Sequence, residues 1–372
     1  MIASMRRRVL DLFSADPRSF DVVFTADASA ATKLVAEAFC SRKVGFCYYY
    51  HHQSNAGLLA ARELARESRC LSSAEETEAW LNSPDEVAGP TLFAYPAQSD
   101  MDGERLPLHW PSKIRGSSQH LQTYTLLDAT AFVATTPFDL SSSNHSPDFV
   151  VLSFSKIFGY PNLGALIVRK ASVSVFDQGV CSDNGPMKAV AGRTDPWTAY
   201  KQPHLHARLE GGTPPCASVL ALACAIYTHR RLFGGLDRVS RHTMWLASVL
   251  YERLIALKHF NGVQACHIYK APSSHIGNAT HQGATLALSL RASKGTWLRC
   301  RCIEPLLLRH GFHVRIISLC HLARQDSTLS VNGRPDDMIR ITFGAMSTLA
   351  DVCALVEFMR KNLLEGSASS ET

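Results

Sequence analysis

The sequence predicts an α/β fold: a large domain on a mainly parallel sheet, then a smaller α+β domain. Three observations lead there. Short apolar runs rich in β-formers alternate with helical periodicities through the first 170 residues, the pattern of a parallel sheet covered by helices. From about Pro214 the texture changes to two long helical patterns followed by shorter strands. The chain has 372 residues, 46% hydrophobic and 19% charged, enough to bury cores in both parts. The expected organisation is a large domain over 1–213, linking helices and a small domain over 214–364, and a disordered tail, "EGSASSET", over 365–372.

The elements follow in chain order. "MIASMRRRVLDLF" is basic and apolar, but Asp11 and Asp16 follow at once and no cleavage signal appears, so it reads as a first helix. "FDVVFTA" (20–26) reads as a strand and 27–39 as a helix, with Ala31, Leu34, Val35 and Ala38 on one face. Their junction exposes backbone N–H groups at a helix start, suited to a phosphate or carboxylate. Ordinary capping by Asp27 or Ser29 is the competing reading. Strands are expected at 44–51, 91–97, 124–135, 148–155 and 164–170, and a helix at 55–68. Beyond residue 214, helices are expected at 217–233 and 242–260 and strands at 283–290, 313–317 and 338–344, before a closing helix.

Bulk properties narrow the function. The net charge of +6 is mild and dispersed, which argues against a nucleic-acid surface. No apolar run approaches the ~18 residues of a membrane span. Eleven cysteines, odd in number and irregular in spacing, read as reduced thiols in a cytoplasmic compartment. Cys300 and Cys302 are half of a zinc-type pattern, without a second pair at ligand spacing; no metal site is expected.

The chemistry gathers at strand ends. His52, Ser99, Asp128 and Lys156 all sit at or just beyond predicted strands, where ligands of α/β sheets collect. A lysine in a partly desolvated pocket has its ammonium form disfavoured, and the amine can condense with a carbonyl. An aspartate after an apolar strand can pair with a pyridinium nitrogen, a charge-assisted bond of ~1.5–3 kcal/mol. Singly, Lys156 suits a surface turn and Asp128 a turn cap. Together with the helix start at 27–29, in this chain order, they point to pyridoxal phosphate.

"SFSKIFGYPNLGALIV" (153–168) resembles the lysine segment of the molybdenum cofactor sulfurases, SFYKIFGxPTGLGAL. "VVFTADASAATKLVAEAF", "FAYPAQSDMDG", "LLDATAFVATTPFDL", "RLEGGT" and "GRPDDMIRITFGAMSTLADV" extend the likeness over nearly the whole chain. The resemblance implies the type I fold of pyridoxal-phosphate transferases, in the class V aminotransferase group related to cysteine desulfurases. It implies Lys156 as the Schiff-base lysine, Asp128 as partner of the pyridine nitrogen and His52 stacked on the ring. Ala28 and Ser29 would contact the phosphate, with Ser99 beside the cofactor. Thr213 would reach the phosphate of a neighbouring subunit in a homodimer. Arg340 would hold the substrate α-carboxylate, and Cys320 would carry a persulfide. The implied reaction takes sulfur from L-cysteine, releases alanine and serves the molybdenum cofactor or a separate acceptor protein.

The chain also departs from that family pattern. It matches neither the family's opening segment with its YLDxAG-type motif nor the C-terminal MOSC half, so it reads as truncated at its start and lacking that domain. "HVRIISLCHLARQ" keeps Cys320 without the family's RTGCFCNPGAC companions. Asp27 replaces a glycine beside the phosphate, and Asp100 an asparagine near the ring hydroxyl. Two alternatives stay open: a repurposed class V lyase or epimerase that does not use Cys320, and a non-catalytic homologue acting as a binding partner.

Overall fold

The computed structural model describes residues 1–84, 89–177, 187–191, 197–200, 204–210, 215–270, 275–318 and 337–365. The chain divides into two compact units, residues 1–97 with 106–232, and residues 98–105 with 233–372.

The first unit contains α1 (Ile2–Leu12), β1 (Phe20–Thr25), α2 (Ala28–Cys40), β2 (Cys47–His51), α3 (Ala56–Ala60), β3 (Glu67–Leu71), α4 (Ala74–Asn82), β4 (Thr91–Pro96), α5 (Trp110–Gly116), β5 (Thr123–Asp128), β6 (Phe149–Ser153), α6 (Phe154–Phe158), β7 (Gly164–Arg169), β8 (Met187–Ala191), β9 (Trp197–Tyr200), α7 (Leu205–Leu209) and α8 (Cys216–Phe233). Seven strands make one sheet in the order β1-β7-β6-β5-β4-β2-β3. Strands β2 to β6 pair in parallel, while β7 runs antiparallel to both β6 and β1. Every residue of β2 and β4 is buried, as expected of parallel strands covered on both faces, so they read as continuous apolar runs. Helix α2 buries Ala31, Val35, Ala38 and Phe39, and the Phe39 ring meets Phe46, Tyr124 and Phe149 at centroid distances of 5.5, 5.4 and 6.1 Å.

Strand β1 is a sheet edge whose outward backbone groups are taken by side chains. Arg6 Nε donates to Val22 O at 3.0 Å, Phe24 N donates to Glu210 Oε1 at 2.9 Å, and Val22 N donates to Asp21 Oδ1 at 2.9 Å. Glu210 also pairs with Arg6, both side chains about 10% exposed. His206 Nδ1 meets Asp21 at 2.9 Å. Burial pushes the Asp21 carboxyl up, but the hydrogen bond and charge of His206 outweigh it and leave the group below its ordinary value.

The helix expected over 55–68 is corrected. It ends at Ala60, tightens into a 3₁₀ turn over Ala61–Leu64, and gives way to β3. "ESRCL" has its first three residues exposed at the sheet edge, so it lacks the alternation that marks a half-buried strand. The strand expected over 124–135 likewise stops at Asp128.

The second unit contains α9 (Leu236–Ile255), β10 (Cys266–Tyr269), β11 (Thr285–Leu290), α10 (Cys300–Arg309), β12 (Arg315–Ser318), β13 (Asp337–Thr342) and α11 (Leu349–Met359). Its antiparallel sheet has the order β10-β11-β13-β12. Leu286, Leu288, Ile339 and Ile341 from the sheet join Leu246, Leu250, Leu307 and Val356 from the helices in one core. Residues of opposite parity, Tyr269, Ala287, Arg340 and Arg315, lie in register across the other face. Helix α8 clusters with the first unit as far as Leu232. Among the described residues, no helix is long and apolar enough to cross a membrane.

Candidate active site

Strands β1, β2, β5 and β6 deliver the predicted residues to one end of the large sheet. Asp128 closes β5, buried at 4% exposure. Its Oδ1 accepts from Thr130 N at 2.8 Å and its Oδ2 from Asn55 Nδ2. Asn55 has a second task, since its Oδ1 caps α3 through Leu58 N at 3.1 Å. Lys156 lies in α6, the short helix that follows β6 directly, and its Nζ donates to Thr130 Oγ1 at 3.0 Å. Thr130 thus touches both predicted residues, through its amide and through its hydroxyl.

The helix start at 27–29 is capped by Asp27, whose Oδ1 accepts from Ala30 N at 2.8 Å. Among the described residues, the N–H groups of Ala28 and Ser29 have no intramolecular acceptor. The turn is held by close approach. A Cβ on Gly164 would stand 2.4 Å from both the carbonyl carbon and oxygen of Asp27, so only glycine lets β7 start there. Ser29 also lies near the Asp128 cluster: a Cβ on Gly57 would be 3.6 Å from Ser29 Oγ and 3.3 Å from Asn55 Oδ1.

His52 is exposed on the turn after β2, its ring centroid 4.4 Å from that of His51. His51 is buried, with Nδ1 accepting from Gln53 N and Nε2 without a hydrogen-bond partner among the described residues. Burial first, and the neighbouring His52 second, hold the His51 imidazole neutral, its pKa lowered to about 3, with Glu76 opposing.

Two predicted residues stand in the second unit. Ser99 is buried, donates its amide to Glu104 O and accepts from Met101 N at 3.2 Å. Arg340 is half-buried on β13 and donates Nη1 to Asp100 O. Burial lowers its pKa; the Asp100 charge opposes that and the Arg315 charge reinforces it. Thr213 and Cys320 lie outside the described residues. Cys300 is buried, its amide donating to Asp337 Oδ1 and its thiol pushed up to about 12 by burial, while Cys302 is exposed. Among the described residues no three His, Cys, Asp or Glu side chains group as metal ligands.

Asn55 and Thr130 were not among the sequence candidates. Asn55 precedes "AGLLA" as a helix cap would, the one local signal that singles it out.

The donor set suits pyridoxal phosphate. A primary amine, a carboxylate fixed by two donors, and a helix start with two unused N–H groups beside a serine hydroxyl occupy one sheet end. Asp27 occupies a third N–H of that helix start.

The architecture is the type I fold of pyridoxal-phosphate transferases. The chain belongs to the aminotransferase class-V family, which matches residues 1–355. It is 43% identical over 399 residues to the molybdenum cofactor sulfurase of Aspergillus clavatus, covering 100% of this chain and 47% of that protein. The molybdenum cofactor sulfurase of Aspergillus niger is 41% identical over 392 residues, covering 98% and 47%. The chain thus spans about half the length of the curated relatives it matches. Among solved structures, the cysteine desulfurase of Thermococcus onnurineus NA1 superposes with a TM-score of 0.74 at 17% identity, covering 98% of this chain and 84% of that one. A C-DES variant with glycine covalently linked to its PLP cofactor gives 0.71 at 16% identity, covering 96% and 84%. These likenesses establish the fold.

Proposed function

We propose that the chain is a pyridoxal-phosphate sulfurtransferase that takes sulfur from L-cysteine and leaves alanine, delivering it to the molybdenum cofactor or to a separate acceptor protein. The observation that carries this reading is the linkage of Lys156 to Asp128 through Thr130 at one sheet end. The names of the relatives at 41–43% identity support the acceptor.

Pyridoxal phosphate, when bound, supplies an electron sink for charge left at the substrate Cα. Lys156 would hold the group through its aldehyde carbon and its amine would accept the Cα proton; the Thr130 hydroxyl accepts from Nζ and orients it. Asp128 would accept a hydrogen bond from the ring nitrogen and so keep it protonated, and the Thr130 amide and Asn55 Nδ2 hold its carboxylate in place. Ala28 and Ser29 hold the phosphate through the two N–H groups that Asp27 leaves open. His52 would stack on the ring, Ser99 would be a further cofactor contact, and Thr213 would reach the phosphate of a neighbouring subunit. Arg340 takes the α-carboxylate, for which its planar fork is suited. Cys320 receives the sulfur as a persulfide.

Homodimer formation is supported by α8, whose exposed Leu220 and Tyr227 share one face just after the Thr213 segment. Nine free cysteines among the described residues accord with a reducing, cytoplasmic setting.

The test is the visible absorption spectrum with added pyridoxal phosphate, beside Lys156→Ala. A band that needs Lys156 and shifts with L-cysteine is the expected result. No band in either protein sinks the reading.

A further inference from the structure

Residues 98–105 belong to the second unit although their chain neighbours on both sides belong to the first. They are densely fastened there. Ser99 N closes the turn on itself through Glu104 O at 2.8 Å, while Arg105 N donates to His281 O at 2.9 Å and Gly283 N to Gly103 O at 2.7 Å. Gln282, fully buried, donates Nε2 to the carbonyls of Asp102 at 2.6 Å and Thr285 at 3.1 Å. Arg105, 6% exposed, donates Nε to Gln98 Oε1 at 3.1 Å and Nη1 to Ala279 O. The steric fit is equally close. A Cβ on Gly283 would stand 2.0 Å from Gln98 Oε1, and Gly103, at φ +80°, has Gln282 Nε2 and Thr285 Cβ each 2.9 Å from its own Cβ position. Burying Arg105 lowers its pKa to about 10, a desolvation that surface turns avoid.

This turn presents the Asp100 carbonyl, which accepts from Arg340 Nη1. Arg340 needs such a hold. It stands directly opposite Arg315 in the β12–β13 pair, and like charges facing across strands repel. An unrestrained arginine swings its head into water. We propose that the 98–105 turn aims the Arg340 guanidinium at the substrate carboxylate, with Gln282 and Arg105 as positioning residues. This rests on the carboxylate role given to Arg340 above. One Nη–H on a carbonyl leaves four of the roughly five guanidinium N–H donors, enough for a bidentate carboxylate.

The test uses the cofactor-loaded full chain and follows the visible band while titrating L-alanine and, separately, ethylamine, the same amine without a carboxylate. Gln282→Met is expected to weaken L-alanine about tenfold, the scale of one lost charge-assisted bond, and to leave ethylamine within about twofold. Arg340→Gln is expected to do the same more strongly. Arg105→Lys, which keeps the charge and loses one contact, falls between wild type and Gln282→Met, and carries the test where Gln282→Met does not fold. Full preference for L-alanine in both turn variants, with the preference lost in Arg340→Gln, overturns the proposal. Equal weakening of both ligands also overturns it, because that is the mark of a scaffold. An Arg340→Gln protein that keeps the preference overturns the carboxylate reading and the proposal together, whereas absence of the band in wild type removes the cofactor reading on which both stand.

Discussion

At the scale of residues, the site owes its order to two side chains that each do two things. Asn55 caps α3 and donates to Asp128, and Thr130 gives its amide to Asp128 and its hydroxyl to Lys156. Lys156 and Asp128 were legible because a charged residue at the end of an apolar strand is an anomaly. Asn55 was not, since its partner lies 73 positions away in the chain and its local context reads only as a cap. His51 was hidden too, as burial alone makes it unusual. Its consequence is a pH dependence. With a folded pKa near 3 against an unfolded value near 6.5, the unfolded chain binds the extra proton between those limits. Stability from this group is therefore complete above about pH 6.5 and is lost as pH falls, by up to about 1.4 kcal/mol per pH unit. His51→Asn, which keeps an acceptor for Gln53 N, is expected to flatten that part of the profile. Urea midpoints at pH 7, 6 and 5 check it, and parallel profiles for the two proteins would refute it.

At the scale of elements, the parallel core strands and the amphipathic α2 were readable from periodicity and composition. The failures were at edges and joints. Strand β3 lacks alternation, and α10 carries Pro305 within it, a residue that argues against a helix interior. A joint with backbone on both sides lies between β7 and the start of α2. Gly164→Ala would drive a Cβ into the backbone of Asp27, where no side-chain rotation gives relief. The expected loss is about 2–3 kcal/mol, at the upper end of overpacking costs. Chemical denaturation measures it, and a midpoint within error of wild type would show that the joint yields.

At the scale of the whole molecule, the change of texture near residue 214 marks the start of the long helices, whereas the two compact units divide 18 residues later, after Leu232, because α8 clusters with the first unit. The passage of residues 98–105 into the second unit was not legible in the sequence, because it depends on Gln98, Arg105 and Gln282 meeting partners far away in sequence. Helix α8 carries the assembly prediction. Leu220 and Tyr227, 48% and 64% exposed, stand two turns apart on one face. The double variant Leu220→Glu, Tyr227→Glu is expected to halve the mass found by sedimentation. A wild-type mass already that of one chain refutes the dimer.

The edge strand β1 has a consequence in time. Its guard residue Glu210 lies 186 positions downstream of Phe24. At synthesis rates of about 5–20 residues per second, β1 waits roughly 10 to 40 seconds on the ribosome before that carboxylate exists. During that interval the outward amide of Phe24 is open to pairing with another chain, the hazard of an unguarded edge. The exposure ends when Glu210 arrives and takes that amide.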